Sequence, residues 1–298
     1  MKNQKTAVLL TCHNRKNKTL SCLTSFFEAE LPNNHQFDIF LTDDGSNDGT
    51  YEAVMEQFPE VNITRGDGSL FWSGGMRLTW ETALAHDNYD SFLLLNDDVI
   101  LEKDFLSNLM KAERFALNEI GRKGIYSGAT IEEGSDEVSY GSSKIRKNHF
   151  IVRFDMLAPK EIPQRCEITN ANILWVDNSV VEEIGILDKK YTHGIADYDY
   201  SLKAHKRGIP VYLAPNVCGM CSNDHGNNWK SSSVPLKDRI SYLKSPKGLA
   251  YNEYLYYIRR HFPLFLPYSF VMLWMKTLFP SLWVNFKKKT KIQSSNTL

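Results

Sequence analysis

Short apolar runs alternate with helix-like stretches through the first hundred residues, and few folds accommodate that alternation. Runs 7–11, 37–42, 61–64 and 91–95 have the length and composition of strands, while 20–30, 51–58 and 76–86 have helical spacing. The second of these helices is opened by Asp48-Gly49-Thr50 as a capping region. Strands that are apolar throughout, rather than at every second residue, are covered on both faces, so the pattern predicts an α/β fold: a mostly parallel sheet flanked by helices. A helix over 103–118 follows, and then the Gly- and charge-rich stretch 121–147 breaks the repetition with strands and loops. A strand over 173–176 and helices over 179–184 and 198–206, closed by Gly185 and Gly208, complete a mixed α+β half. The expected division is one domain over 1–244, with halves 1–120 and 121–244, followed by a helical segment over 245–298.

Composition narrows the function. The chain of 298 residues is 42% hydrophobic and 23% charged, which suffices for one large core and excludes disorder. Its 35 basic residues balance 35 acidic ones, so no overall field draws nucleic acid. The balance is uneven along the chain. From Ser245 onward eight Lys or Arg face one acid, Glu253, a tail of about +7 on a body of about −7. Five cysteines, at 12, 22, 166, 218 and 221, are odd in number and irregular in spacing, unlike a secreted disulfide framework, and suit a reducing cytosolic setting. The apolar run 7–10 is too short for a signal peptide and reads as a first buried strand.

In open α/β sheets ligands bind beyond the carboxyl ends of the strands, so the residues that stop each apolar run carry the information. The first run stops at Thr11-Cys12-His13-Asn14-Arg15, the second at Asp43-Asp44-Gly45-Ser46-Asn47-Asp48-Gly49 and the fourth at Asn96-Asp97-Asp98. Turn formation accounts for residues 46–49. It does not account for Asp97-Asp98, whose like charges at the mouth of a buried strand need a cation or a set of donors, and a divalent metal would supply one. Other templates fail. There is no G-x-x-x-x-G-K-[ST], no G-x-G-x-x-G after the first strand, and a calcium loop opened by Asp44 would need Glu where Met55 stands. Cys218-x-x-Cys221 with His225 lacks the second pair of a zinc site, and buried thiols are the plainer reading.

Taken in order, Leu9-Leu10-Thr11-Cys12-His13-Asn14-Arg15, Leu41-Thr42-Asp43-Asp44-Gly45-Ser46, Leu95-Asn96-Asp97-Asp98-Val99 and Gly194-Ile195-Ala196-Asp197-Tyr198-Asp199 resemble the inverting, family 2 glycosyltransferases of GT-A fold over residues 6–224. The resemblance implies that 1–244 is a GT-A catalytic domain with a nucleotide-sugar half and an acceptor half. It implies that Thr11 and Asp44 hold the donor base with Asn14 and Asn96 beside them, that Arg15 assists at the phosphates, and that Asp97 approaches the ribose. Asp98 would coordinate Mg²⁺ or Mn²⁺ on the diphosphate, where an oxygen-ligated dication neutralises charge on the leaving group. The segment Phe71-Trp72-Ser73-Gly74-Gly75-Met76-Arg77 resembles the donor-binding stretch of rhamnosyltransferase-like members. There Gly74 and Gly75 would let the backbone approach the diphosphate, Arg77 would reach it from the first turn of the next helix, and Trp72 would either line the sugar pocket or pack in the core. Asp197 matches the family's general base, although Ala196 stands where Glu is frequent; otherwise Asp197 and Asp199 serve a helix N-terminus. His225 is the expected third contact to metal or diphosphate, or else a surface histidine.

Residues 262–283 are strongly apolar and aromatic, but Pro263, Pro267, Lys276 and Pro280 leave no clean span of about 20 residues. Followed by Lys287-Lys288-Lys289-Thr290-Lys291, the segment reads as an interfacial helix at anionic lipid, with packing on the catalytic domain or on a second copy as the alternative. The whole sequence thus predicts a cytoplasmic enzyme, peripheral at the inner face of the cell membrane. It would transfer a sugar from dTDP-rhamnose or a UDP-sugar to a lipid-linked or growing cell-surface polysaccharide. A nucleotidyltransferase would need a Gly- and Lys-rich first loop that residues 11–15 do not provide. A catalytically silent glycan-binding or scaffolding protein would have lost an acid at 98 or 197, and neither is lost.

Overall fold

All four apolar runs of the first hundred residues are strands, and helices connect them. The computed structural model describes residues 4–147, 152–222, 231 and 233–281. Strands β1 (Gln4–Cys12), β2 (His35–Asp43), β3 (Asn62–Arg65) and β4 (Ser91–Leu95) alternate with helices α1 (Lys16–Phe27), α2 (Thr50–Gln57) and α3 (Phe71–His86). Then come β5 (Ile100–Leu101), α4 (Phe105–Ile120), β6 (Ile125–Ile131), β7 (Val138–Tyr140), β8 (Ser142–Lys147), β9 (Val152–Met156), β10 (Gln164–Arg165), β11 (Ile168–Thr169) and β12 (Ile173–Asp177). Helices α5 (Asn178–Ile184) and α6 (Ala196–Lys206) and strand β13 (Val211–Met220) follow. The large sheet runs β10-β13-β6-β12-β4-β1-β2-β3, with β5 and β7 paired to β13 and β6. The β4-β1-β2-β3 part is parallel and β12 runs against both β4 and β6, while β11, β8 and β9 form a separate antiparallel sheet.

Side chains alternate across the large sheet. Val8, Leu10, Ile39, Leu41, Leu93 and Leu95 share one core with Cys22, Leu23 and Phe26 of α1 and Phe105, Leu106 and Leu109 of α4. Helix α3 packs on β1 and β2, and its Trp80 lies 5.4 Å from the Phe92 ring and 5.7 Å from that of Tyr200. Full burial of each such side chain contributes about 1.5–3 kcal/mol.

Two helix starts depart most from the sequence expectation. Helix α1 begins at Lys16, not near residue 20, because Asp48 Oδ2 accepts the Lys16 N–H at 3.0 Å. Helix α3 begins at Phe71, so the glycine segment expected as a loop lies inside a helix. Strand β13 runs on to Met220, held by β6 and β5 on its two sides.

The chain divides into two compact units. One comprises Met1–Asn148, Val152–Thr192 and Ala196–Asn223; the other comprises His149–Ile151, His193–Ile195 and Asp224–Leu298. In the second unit α7 (Leu236–Lys244), α8 (Tyr251–His261), a 3₁₀ turn (Pro263–Phe265) and α9 (Leu266–Leu278) pack on one another. Arg239 of α7 donates to the Thr277 carbonyl of α9 at 2.6 Å, and Trp274 Nε1 donates to Tyr251 Oη at 3.0 Å. No helix among the described residues is long and apolar enough to cross a membrane.

Candidate active site

Three parallel strands end side by side. Cys12 of β1 lies opposite Asp43 of β2, and Leu9 lies opposite Leu94 of β4, so residues 11–15, 43–44 and 96–98 leave the sheet along one edge. Asn14 links two of these exits: it donates its N–H to Ser46 Oγ and accepts the Asn47 N–H on Oδ1, both at 2.8 Å. Its φ of 53° lies in the left-handed region, which Asn tolerates better than most residues.

Asp97 and Asp98 share a cation supplied by the chain itself. Arg15 Nη1 donates to Asp97 Oδ1 at 3.1 Å and to Asp98 Oδ2 at 2.7 Å. Thr19 Oγ1 donates to Asp97 Oδ2 at 3.3 Å, and Lys18 Nζ stands 4.0 Å from Asp98 Oδ2. The donor set that the like-charged pair demanded is therefore present in protein form. Burial pushes the Asp97 carboxyl up to about 6, opposed by Arg15 and reinforced by Asp98. Cys221, beyond the end of β13, donates its S–H to Asp98 Oδ1 at 3.5 Å; burial first and then Asp98 push this thiol up to about 12.

Among the described residues no three His, Cys, Asp or Glu side chains converge as a metal cage. A dication in a diphosphate site needs less, since one or two carboxylates and the substrate's oxygens suffice. Both Asp97 oxygens are engaged by protein donors, whereas Asp98 is partly exposed and meets, among the described residues, Arg15, Lys18 and a weak thiol donor. Asp98 thus fits as the metal-holding residue once Arg15 releases it. His225 lies outside the described residues.

Asp44 is buried, with both oxygens on backbone N–H groups: Gly68 to Oδ1 at 2.9 Å and Phe71 to Oδ2 at 3.0 Å. It thereby fixes the entry to α3, where Phe71 adopts φ 54°, a strained conformation for a bulky residue and one found most often at functional sites. Thr11 Oγ1 bonds the Thr42 carbonyl at 3.2 Å. A Cβ on Gly75 would sit 2.0 Å from that same oxygen, so Gly75 serves the approach of α3 to β1, and Gly74 is buried beside Leu70. The clearance these glycines provide is filled by protein, which corrects the expectation of an open glycine loop. Trp72 Nε1 donates to Asn96 Oδ1 at 2.7 Å and so places its ring at the mouth of β4. Arg77, in the second turn of α3 rather than the first turn of a later helix, donates to the carbonyls of Tyr191 at 2.8 Å and Asp188 at 3.3 Å. It anchors the loop that leads to α6.

Asp197 sits in the first turn of α6. Its Oδ1 accepts the Tyr198 N–H at 2.9 Å and its Oδ2 the Ala171 N–H at 3.1 Å. Burial raises its carboxyl to about 6, and these backbone donors limit the rise. Asp199 is committed elsewhere, accepting Tyr191 Oη at 2.9 Å. The two acids of the first turn thus have different partners: Asp199 takes the Tyr191 hydroxyl, and Asp197 takes two backbone N–H groups.

Lys18 and Thr19 were not singled out in the sequence, and Cys221 was read there only as a buried thiol. The first two stand three and four residues after Arg15, on the same helical face, a spacing that would have found them had α1 been started at Lys16.

Residues 7–148 match the family described as glycosyl transferase family 2. They are a family 2 glycosyltransferase domain. Every strand-end residue of the site up to Asp98 lies in this family 2 domain, while Asp197 and Cys221 lie beyond the matched segment. The GT-A fold recurs in solved structures at low identity. The mannosyltransferase PcManGT from Pyrobaculum calidifontis, in complex with GDP-Man and Mn²⁺, matches with TM-score 0.53 and 14% identity over 77% of this chain and 59% of its own. Residues 1–349 of S. aureus TarS match with TM-score 0.52 and 14% identity over 74% and 60%. GalNAc-T7 with UDP, GalNAc and Mn²⁺ matches with TM-score 0.55 and 14% identity over 81% and 47%. The chain thus spans about three fifths of the first two structures and about half of the third. No curated protein matches the chain in sequence.

Proposed function

We propose that the chain is a metal-dependent, inverting glycosyltransferase that moves a sugar from a nucleoside diphosphate sugar, dTDP-rhamnose or a UDP-sugar, to a lipid-linked or growing cell-surface polysaccharide. The observation that carries this reading is the carboxylate edge of the family 2 domain, where Asp44 and the Arg15-bridged pair Asp97 and Asp98 leave neighbouring parallel strands. Solved structures of this fold hold GDP-Man or UDP with Mn²⁺, which supports a donor of the same class.

Asp98 would hold the dication together with diphosphate oxygens, and that ion, when bound, supplies charge neutralisation on the departing nucleotide. Arg15, leaving Asp98 to it, stays close enough to follow the phosphates. Asp197, ionised above about pH 6, takes the proton of the acceptor hydroxyl. The hydroxyl oxygen then forms its bond to the anomeric carbon from the face opposite the diphosphate, whose bond to that carbon breaks, so configuration inverts. Trp72, fixed by Asn96, borders the place where the sugar would lie.

The test is nucleotide release from a panel of UDP-, dTDP- and GDP-sugars, with Mn²⁺ or chelator, by wild type and Asp197→Asn. One donor should turn over with metal alone, and the variant should bind that donor normally while transfer falls about 10²–10⁴-fold. Transfer undiminished in Asp197→Asn would place the base elsewhere.

A further inference from the structure

Helix α9 is inside out for a helix in water. Its face turned into the protein carries Ser269, Leu273 and Thr277, two of the three polar, and the Thr277 carbonyl there receives the Arg239 guanidinium. The opposite face carries Tyr268, Val271, Met275 and Leu278, at steps of three, four and three that align them on one stripe. Val271 is 53% exposed, and Leu264, one turn earlier, is 91% exposed. A water-facing helix has the reverse distribution, so this stripe has a partner that is not water.

Charge and length decide which partner. No acid follows Glu253 in the sequence, whereas Arg259, Arg260, Lys276 and the run Lys287-Lys288-Lys289-Thr290-Lys291 all do. A segment bearing one sign of charge repels a copy of itself and is drawn to an anionic surface. Helix α9 has 13 residues, about 20 Å, which is too short for a hydrocarbon core of about 30 Å but long enough to lie in its boundary. Tyr268 and Trp274 supply amphipathic rings of the kind that settle at the headgroup level. We infer that α9 and the 3₁₀ turn before it dock in the plane of an anionic lipid surface through the Leu264–Tyr268–Val271–Met275–Leu278 stripe, steadied by the basic residues that follow Glu253 in the sequence. The inference rests on the second unit and holds whatever the first unit catalyses.

The experiment is co-sedimentation of the full chain with phosphatidylcholine vesicles containing none or about 30 mol% phosphatidylglycerol. Wild type should sediment with the anionic vesicles and remain in solution with the neutral ones. Val271→Asp with Met275→Asp, at exposed positions that leave the packed face intact, should lower the partition at least about tenfold while the circular dichroism spectrum is unchanged. Sedimentation unaffected by the two substitutions would overturn the inference. So would light scattering that shows a dimer in solution which the same two substitutions dissolve, because the stripe would then belong to a second copy.

Discussion

Arg15 holds Asp97 and Asp98 through a single nitrogen atom, and 82 and 83 residues separate it from them in the chain. Removing it leaves two carboxylates facing each other at a strand mouth, with Thr19, Lys18 and a thiol as the remaining donors among the described residues. Arg15→Ala should therefore melt at a lower temperature than wild type without metal, and Mn²⁺ should raise its melting temperature more than it raises that of wild type. Thermal melts with and without Mn²⁺ measure both effects, and adding Asp98→Asn should erase the extra response. Asp197 leads to a prediction about pH. As the proposed base it would work ionised, so kcat/KM should rise through about pH 6 and level off above it. Asp197→Glu should shift that midpoint, and an unmoved midpoint would assign the limb to another group. Asp43-Asp44 and Asp97-Asp98 were legible in the sequence because they stand where apolar runs stop, whereas Asp197 was read through the family resemblance. The bridge by Arg15 was not legible, since a pairing across that separation is made by the sheet and leaves no local pattern.

The elements show the same division. Strands β1, β2 and β4 could be read directly, because a segment buried on both faces must be apolar throughout. The starts of α1 and α3 could not, since their first N–H groups are received by Asp48 and Asp44, which lie across the sheet edge and not at the helix ends. Gly75 is the clearest instance: in sequence it resembles part of a donor-binding segment, and in the fold it is the contact between α3 and β1. Gly75→Ala should destabilise the protein by about 1–3 kcal/mol or more in urea unfolding, because the added carbon meets Thr11 Oγ1. Thr11→Ala in the same chain should recover part of that loss, a coupling expected of neighbours and absent between independent sites.

Across the whole molecule the site carries a cost in stability. Asp97 and Asp197 keep their protons longer in the folded chain than in the unfolded one, so what they contribute is fully present below their ordinary value of 3.8 and is lost as pH rises through about 6. For Asp97, which is 5% exposed, that loss reaches up to about 3 kcal/mol at neutral pH. Asp97→Asn should accordingly be more stable than wild type above about pH 7, with the difference shrinking toward about pH 4, as denaturant titrations at the two ends would show. The division into two units gives the cysteines a further use. All five thiols are free and buried, all belong to the first unit, and the unit of Asp224–Leu298 has none. A thiol reagent added to the native chain therefore reports only on the unit that contains the carboxylate edge, and each labelled cysteine times how often its own part of that unit opens to solvent.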